Sequence, residues 1–324
     1  MKKIMWALFD DRMGSVGQAK GVILALGDEI NTVEKTIAYN RWARLPNCLK
    51  GCSLLGVDAA KSSKLQAPWP DLVLSISRRT TPIARWIKKQ SGGKTKIIQL
   101  MYPGSWGLKD LDLVVVPEHD AAKCKGANFL FITGCPHRIT QQTIAEAKQK
   151  WDPVFASLPR PWTTVLVGGA IKGKPFSLDN ARLLGQEIRQ LVDKIGGSVL
   201  ITSSRRTGAS AEAAIMQELQ GVPAYTYLWG EKKENPIMGF YACADKIIAT
   251  GDSVSMVSEA CGSENPVLVF EGKNWLTPKH HRFVASLYNS GYAIALEDAA
   301  ALEFKPAKYI NPAQKIAAEI LKIR

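Results

Sequence analysis

The 324-residue chain lacks the means for a disulfide framework: its six cysteines (48, 52, 124, 135, 243 and 261) are too few and too scattered. Cys48 and Cys52 stand in a C-x3-C spacing, but no nearby histidine or second cysteine pair completes a metal site. Reduced thiols in a cytoplasmic protein without bound metal are therefore expected. No apolar run reaches the roughly 18 residues of a membrane span. The opening MKKIMWALFDDR has no small-residue cleavage site and reads as a first β-strand rather than a signal peptide. Walker A, H-E-x-x-H and G-x-S-x-G motifs are missing, as are internal repeats and low-complexity tracts. The one D-x-D spacing, Asp110 and Asp112, stands where a strand begins, which disfavours a metal-dependent single-domain sugar transferase.

Acid is missing over one long stretch. Between Asp71 and Asp110 there is none, while eight bases occur there. The whole chain carries 42 Lys and Arg against 29 Asp and Glu, a net charge of +13. Residues 1–150 hold 23 bases and 12 acids, whereas residues 151–324 hold 19 and 17. An excess confined to one half predicts two domains facing different partners. Nucleic acid is not the expected partner, because no recognised nucleic-acid motif accompanies the charge. Hydrophobic content of 46% and charged content of 22% are globular values and exclude a disordered chain.

Apolar runs alternate with helix-period segments throughout, the pattern of parallel α/β units. Strands are predicted over 3–9, 33–39, 72–76, 96–101, 113–116 and 129–133, then over 164–167, 199–202, 224–228, 246–249 and 267–270. Most are short and apolar on both faces, as strands covered by helices on either side must be. Helices are predicted over 17–26, 83–90, 139–150, 178–195, 211–219 and 254–261. The stretch WDPVFASLPRP, 151–161, reads as part of the interdomain junction. The domains are thus 1–150 and 151–311, with a final amphipathic helix over 312–324. Two similar α/β halves around a central cleft are the expected architecture, with ligands beyond the carboxyl ends of the strands.

The strongest local signal is KIIATGDSVSMVSEAC, 246–261. A strand ends at Thr250, a Gly-Asp turn comes next, and a helix begins. Asp252 or Ser253 can cap that helix, whose free N–H groups and dipole make an anion site. Ser255 and Glu259 are four apart and share a helical face. Thr250, Asp252, Ser253, Ser255, Met256 and Glu259 are candidate substrate-binding residues: amides plus a serine for a phosphate, with the Glu259 carboxylate one turn on for ribose hydroxyls, would fit a sugar nucleotide. A plain capped helix with a solvated glutamate has the same spacing.

Four further segments add candidates. In VLITSSRRTGA, 199–209, a strand delivers Ser204, Arg205 and Arg206 to a turn, and arginine forks suit phosphate oxygens. An interdomain salt bridge would use the same arginines. In Glu234-Asn235-Pro236-Ile237, Pro236 can start a helix running to Cys243, with Asn235 at its cap. Nearby Leu228 and Trp229 either cover a base or pack on the core. In DDRMGSVGQAK, 10–20, Gly14 and Gly17 permit a close approach of backbone to ligand, and Ser15 and Gln18 can hydrogen-bond it. The segment is not a G-x-G-x-x-G fingerprint, so no nicotinamide cofactor is expected. Asp10 and Asp11 are base candidates by position. In VVPEHD, 115–120, His119 beside Glu118 and Asp120 can act as a base near neutral pH. His137 is similarly placed, and His280 and His281 carry less weight.

Several strings occurring in order make the chain resemble the mitochondrial fission (elongated-mitochondria) family and its bacterial relatives, some of them predicted outer-core glycosyltransferases. They are GSVGQAKG (14–21), PDLVLSISRRTTP (70–82), DLVVVPEHD (112–120), TGCPHR (133–138), SSRRTG (203–208), ENPI (234–237) and TGDSVSMVSEA (250–260). The resemblance implies a glycosyltransferase-B-like fold of two Rossmann-like domains, with a last helix that crosses back onto the first. It implies that Glu259 binds a donor ribose and that Thr250 to Ser255 face the diphosphate. The chain departs from the family pattern at Ile237, usually aromatic, and at Gly262-Ser263-Glu264-Asn265-Pro266, where T-G-K-P is common.

The expected function is transfer of a sugar from a nucleotide sugar, the donor substrate, with no separate cofactor. The acceptor is expected to be lipid-linked and anionic, such as a lipopolysaccharide core, held by the basic first domain at the inner-membrane surface. Residues 42–55, WARLPNCLKGCSLL, could be an apolar docking loop or an ordinary buried helix. Asp11, His119 or Asp120 would deprotonate the acceptor. A sugar-nucleotide epimerase of the same fold, or a non-catalytic membrane-associated adaptor like the eukaryotic relatives, are the alternatives.

Overall fold

The computed structural model describes residues 2–171, 173–298, 302–306 and 309–323. Its elements begin with β1 (Lys3–Phe9), α1 (Met13–Leu26), β2 (Ile30–Thr36), α2 (Asn47–Lys50), β3 (Leu72–Ser75), α3 (Thr81–Gln90), β4 (Lys96–Leu100), β5 (Leu113–Pro117) and β6 (Phe129–Ile132). They continue with α4 (Gln141–Phe155), β7 (Trp162–Val167), α5 (Leu178–Ile195), β8 (Ser198–Ser203), α6 (Ala209–Glu218), β9 (Ala224–Tyr227) and α7 (Ile237–Cys243). The last are β10 (Lys246–Thr250), α8 (Val254–Gly262), β11 (Val267–Phe270), α9 (Pro278–Asn289), β12 (Ile294–Ala295) and α10 (Ala313–Lys322).

The chain forms two compact units, Met1–Arg138 with Asn311–Arg324, and Ile139–Ile310. Each is built on a six-stranded sheet, ordered β2-β1-β3-β4-β5-β6 in the first and β12-β11-β10-β7-β8-β9 in the second. Every pairing is parallel. Strands such as β3 (LVLS), β7 (WTTVLV) and β11 (VLVF) are buried along their whole length, which is why they read as unbroken apolar or β-branched runs. The strand order reverses between β1 and β3 in the first unit and between β7 and β10 in the second. In open parallel sheets those are the places where loops part to receive a ligand. No helix among the described residues is long and apolar enough to cross a membrane.

Three details differ from the sequence expectations. The unit boundary falls at Arg138/Ile139, because α4 belongs wholly to the second unit and runs through Pro153 to Phe155. The aromatic core holds it there: Phe155 packs on Trp162, Tyr225 and Phe240, and Trp151 lies so close to Gly239 that a Cβ there would meet its ring at 2.3 Å. Strand β2 starts at Ile30, earlier than the apolar pattern suggests, since it pairs in register with β1 from Lys3↔Ile30 onward. Strand β12 is only two residues long, too short to leave a pattern. Helix α10 returns to the first unit, where Ile316, Ala317 and Ile320 join the core under α1.

Helix α5 carries one group at odds with its surroundings. Glu187 lines a cavity of about 190 Å³ with Glu271, Lys273 and Glu297. Burial, reinforced by the Glu297 charge, pushes its carboxyl up to about 7. The folded state thus prefers the neutral acid, and stability falls as the pH rises from about 4.5 to about 7. The Glu187→Gln variant should keep its melting temperature across that window while the parent loses some of its own. Parallel melting curves for the two proteins would contradict this.

Candidate functional site

The reversal point of the second sheet is organised by one carboxylate. Strand β10 ends at Thr250, and Asp252 comes after it in the turn before α8. The Asp252 side chain is fully enclosed. It accepts from the Gly169 N–H at 2.9 Å, from the Thr250 hydroxyl at 2.7 Å and from the Arg206 guanidinium at 2.9 Å. Thr250 Oγ1 in turn accepts from the Gly168 N–H at 2.7 Å. The loops after β7, β8 and β10 are therefore tied together at one point. Burial raises the Asp252 carboxyl pKa, and Arg206, Thr250 and Gly169 oppose that rise.

The close approach depends on glycine. A Cβ on Gly168 would stand 2.1 Å from Asp252 Oδ1, and one on Gly169 would stand 2.1 Å from the Arg206 carbonyl carbon. The β8 loop is pinned as well: Ser204 Oγ donates to the Gly168 carbonyl at 2.7 Å, and Arg206 donates to the Ala170 carbonyl at 3.0 Å. His280, at the start of α9, reaches the same turn. It hydrogen-bonds the Asp252 backbone and Thr277 Oγ1, the latter at 2.7 Å. Burial, then the Lys279 and Arg206 charges, lowers its pKa.

These contacts sort the expected binding residues. Asp252, Thr250 and Arg206 are joined to one another, so the Asp252 carboxylate is engaged in building the turn. Ser204 is likewise spent on Gly168 and Thr207. Arg205 is exposed and has no partner among the described residues. Ser253 stands at the N-cap of α8 and makes no side-chain cap hydrogen bond. Ser255 is half-buried, and Met256 packs against the core of the unit. Glu259 lies one turn further on and accepts a hydrogen bond from buried Tyr241 at 2.9 Å, which fixes one end of its carboxylate. Asn235 Oδ1 accepts from the Ile237 N–H at 3.0 Å, and Pro236 is the N-cap of α7. Trp229 is 61% exposed and does not pack on the core.

The first unit places its candidates differently. Gly14, Ser15, Gly17 and Gln18 lie within α1, which begins at Met13, not in the turn before it; Ser15 and Gln18 are buried. Asp10 and Asp11 come after β1 at the reversal point and both pair with Arg79, which stands beyond β3. The Arg79 guanidinium holds the Asp11 carboxyl below its usual range, while the Asp11 side chain stays 68% exposed. His119 and Asp120 stand beyond β5, with Nε2 3.8 Å from Asp120 Oδ2, but their side chains are only 2% and 12% exposed. That enclosure leaves little of either side chain open to an acceptor hydroxyl. His137 is buried too, its backbone against Gly21 of α1.

Gly168 and Gly169 are absent from the sequence expectations, though legible as a glycine pair directly after an apolar strand. His280 carries little weight there, since only the packing of α9 brings it to the Asp252 turn.

Comparison with known proteins fits this geometry. The family model described as Mitochondrial fission ELM1 matches residues 13–323. Mitochondrial fission protein ELM1 of Arabidopsis thaliana is 30% identical over 221 residues, 62% of this chain and 51% of that protein, so the match spans about half of that relative. An uncharacterized protein of Rickettsia prowazekii is 28% identical over 357 aligned positions, 98% of this chain and 97% of its own. Among solved structures, Acinetobacter baumannii MurG aligns over all of both chains with a TM-score of 0.51 at 14% identity. The UDP-GlcNAc 2-epimerase of Methanocaldococcus jannaschii aligns over 98% of this chain and 99% of its own, with a TM-score of 0.59 at 12% identity. At such identities the likeness concerns the fold alone, which is glycosyltransferase-B-like, with two Rossmann-like units.

The Asp252 clamp makes a stability prediction. Asp252→Ala leaves the Gly169 N–H and the Arg206 charge without their acceptor, and should cost about 2–3 kcal/mol in urea unfolding. A loss below about 0.5 kcal/mol, the range of neutral surface changes, would contradict the clamp.

Proposed function

The chain belongs to the mitochondrial fission ELM1 family, and we propose that it is a glycosyltransferase that binds a nucleotide sugar in its second unit. The observation that carries this reading is the start of α8, where the Ser253 side chain makes no cap hydrogen bond, beside exposed Arg205, in a turn held by Asp252, with Glu259 one turn on. Helix amides and an arginine fork suit a diphosphate, and a glutamate at that distance suits ribose hydroxyls. The MurG and UDP-GlcNAc 2-epimerase neighbours support a nucleotide sugar as the ligand class. The acceptor in this reading is an anionic, lipid-linked glycan of the lipopolysaccharide-core type, met by the basic first unit at the inner-membrane surface.

The reaction is displacement at the anomeric carbon. The acceptor oxygen forms the new glycosidic bond as the bond from carbon to the diphosphate oxygen breaks. The acceptor proton passes to a base, and the departing charge is met by Arg205 and the α8 amides. Asp11 is the base, because it alone of the three candidates is open to solvent. Arg79 keeps it ionised and orients it.

Two measurements test this. A sugar nucleotide at saturating concentration should raise the melting temperature by at least about 3 °C, as mass action on a specific binder requires. Arg205→Ala, which breaks no contact among the described residues, should remove most of that shift. Silence across a panel of sugar nucleotides would favour the adaptor, and turnover without any acceptor would favour the epimerase. The second measurement is the pH profile. The acid limb of kcat should lie below 3.8, and Arg79→Gln should move it up toward that ordinary aspartate value. A limb near the usual histidine value of about 6.5 would assign the base to His119 instead.

A further inference from the structure

We propose that residues 41–55 of the first unit, together with Trp106, form a docking surface for an anionic lipid bilayer. The purpose of this surface rests on the lipid-linked acceptor reading, but its geometry does not. Trp42, Leu49, Leu55 and Trp106 are 44%, 66%, 45% and 40% exposed, high values for large apolar side chains.

A hydrogen-bonded frame gathers them. The Asn40 side chain donates to the Leu55 and Val57 carbonyls at 3.1 and 2.9 Å and accepts from the Trp42 N–H at 2.9 Å, which fixes Trp42 beside Leu55. Gly56 lies against Ala43, where a Cβ would come within 2.9 Å of the backbone. Buried Lys50 donates to the Ala43 carbonyl at 3.2 Å and so ties down α2, which carries Leu49. Arg85 brings in Trp106: it donates to the Gly51 carbonyl at 3.3 Å and stands over the Trp106 ring at 4.2 Å. The exposed side chains thus project from an ordered frame.

The charge carried by the segment itself is of one sign. No acid occurs from residue 35 to residue 57. Arg41 and Arg44 are exposed, and Arg41 stacks over Trp42 at 4.8 Å. Of the nearby acids, Asp110 is paired with Arg85 at 2.5 Å, Asp58 with Lys61 at 3.8 Å, and Asp11 with Arg79. Indole rings and leucines entering the headgroup layer, with arginines reaching back to lipid phosphates, are the two signals that stable interfacial binding needs.

Co-sedimentation of the full chain with vesicles tests the proposal. The chain should pellet with phosphatidylcholine vesicles containing about 30 mol% phosphatidylglycerol, and be released as salt rises toward about 1 M. Arg41→Ala and Arg44→Ala should each lower the partition coefficient roughly fivefold. Trp42→Ser with Leu49→Ser should lower it at least about tenfold. The melting temperature and the sugar-nucleotide shift should stay at the parent value in all three variants. That control separates this surface from the nucleotide site, since either can fail without the other. Equal binding to pure phosphatidylcholine, no binding to the anionic vesicles, or parent-like binding by the Trp42→Ser/Leu49→Ser variant would each overturn the proposal.

Discussion

One buried carboxylate holds the second unit's site in shape. Asp252 collects a backbone N–H from the β7 loop, a hydroxyl from the end of β10 and a guanidinium from the β8 loop. The cost of burying the charge is offset only because three donors converge on it. Gly168 and Gly169 are the steric condition for that convergence, since any side chain there would fall on Asp252 or on the Arg206 backbone. The residues downstream inherit the result: the start of α8 is aimed by a fixed turn. Of the two neighbouring arginines, Arg206 is held by that turn and Arg205 stays exposed beside it.

The first unit uses a related device with the charges reversed. Arg79 there gathers Asp10, Asp11 and the face of Tyr39 at the β1–β3 reversal point. In the second unit an acid organises and an arginine is left exposed. In the first an arginine organises and an acid is left exposed. The opposite arrangements agree with the two roles proposed, a site for an anionic diphosphate and a site for a proton acceptor.

Much of the fold was legible because parallel strands must be apolar on both faces, and runs such as LVLS and VLVF can be little else. Legibility failed where tertiary contacts overrule local pattern. Pro153 suggests a break, yet α4 runs through it because Trp151 and Phe155 are needed in the aromatic core. Pro278-Lys279-His280-His281 reads as a loop, yet it opens α9 and delivers His280 to the Asp252 turn. Site residue types were readable, but their roles were not. Asp252 and Arg206 look like ligand groups in sequence and prove to be each other's partners. His119 and Asp120 look like an acid–base pair and prove to be enclosed. Spacing shows which groups approach one another, and burial decides which of them remain for a ligand.

The proposed function stands or falls on whether the Asp252 turn presents the start of α8 and Arg205 to a diphosphate. A crystal structure of the chain soaked with a nucleoside diphosphate tests this most directly. Phosphate oxygens are expected about 3 Å from the first N–H groups of α8 and from the Arg205 guanidinium, with the Asp252 contacts to Gly169 and Arg206 unchanged. A diphosphate bound elsewhere, or one that draws Arg206 away from Asp252 to reach its ligand, would contradict it.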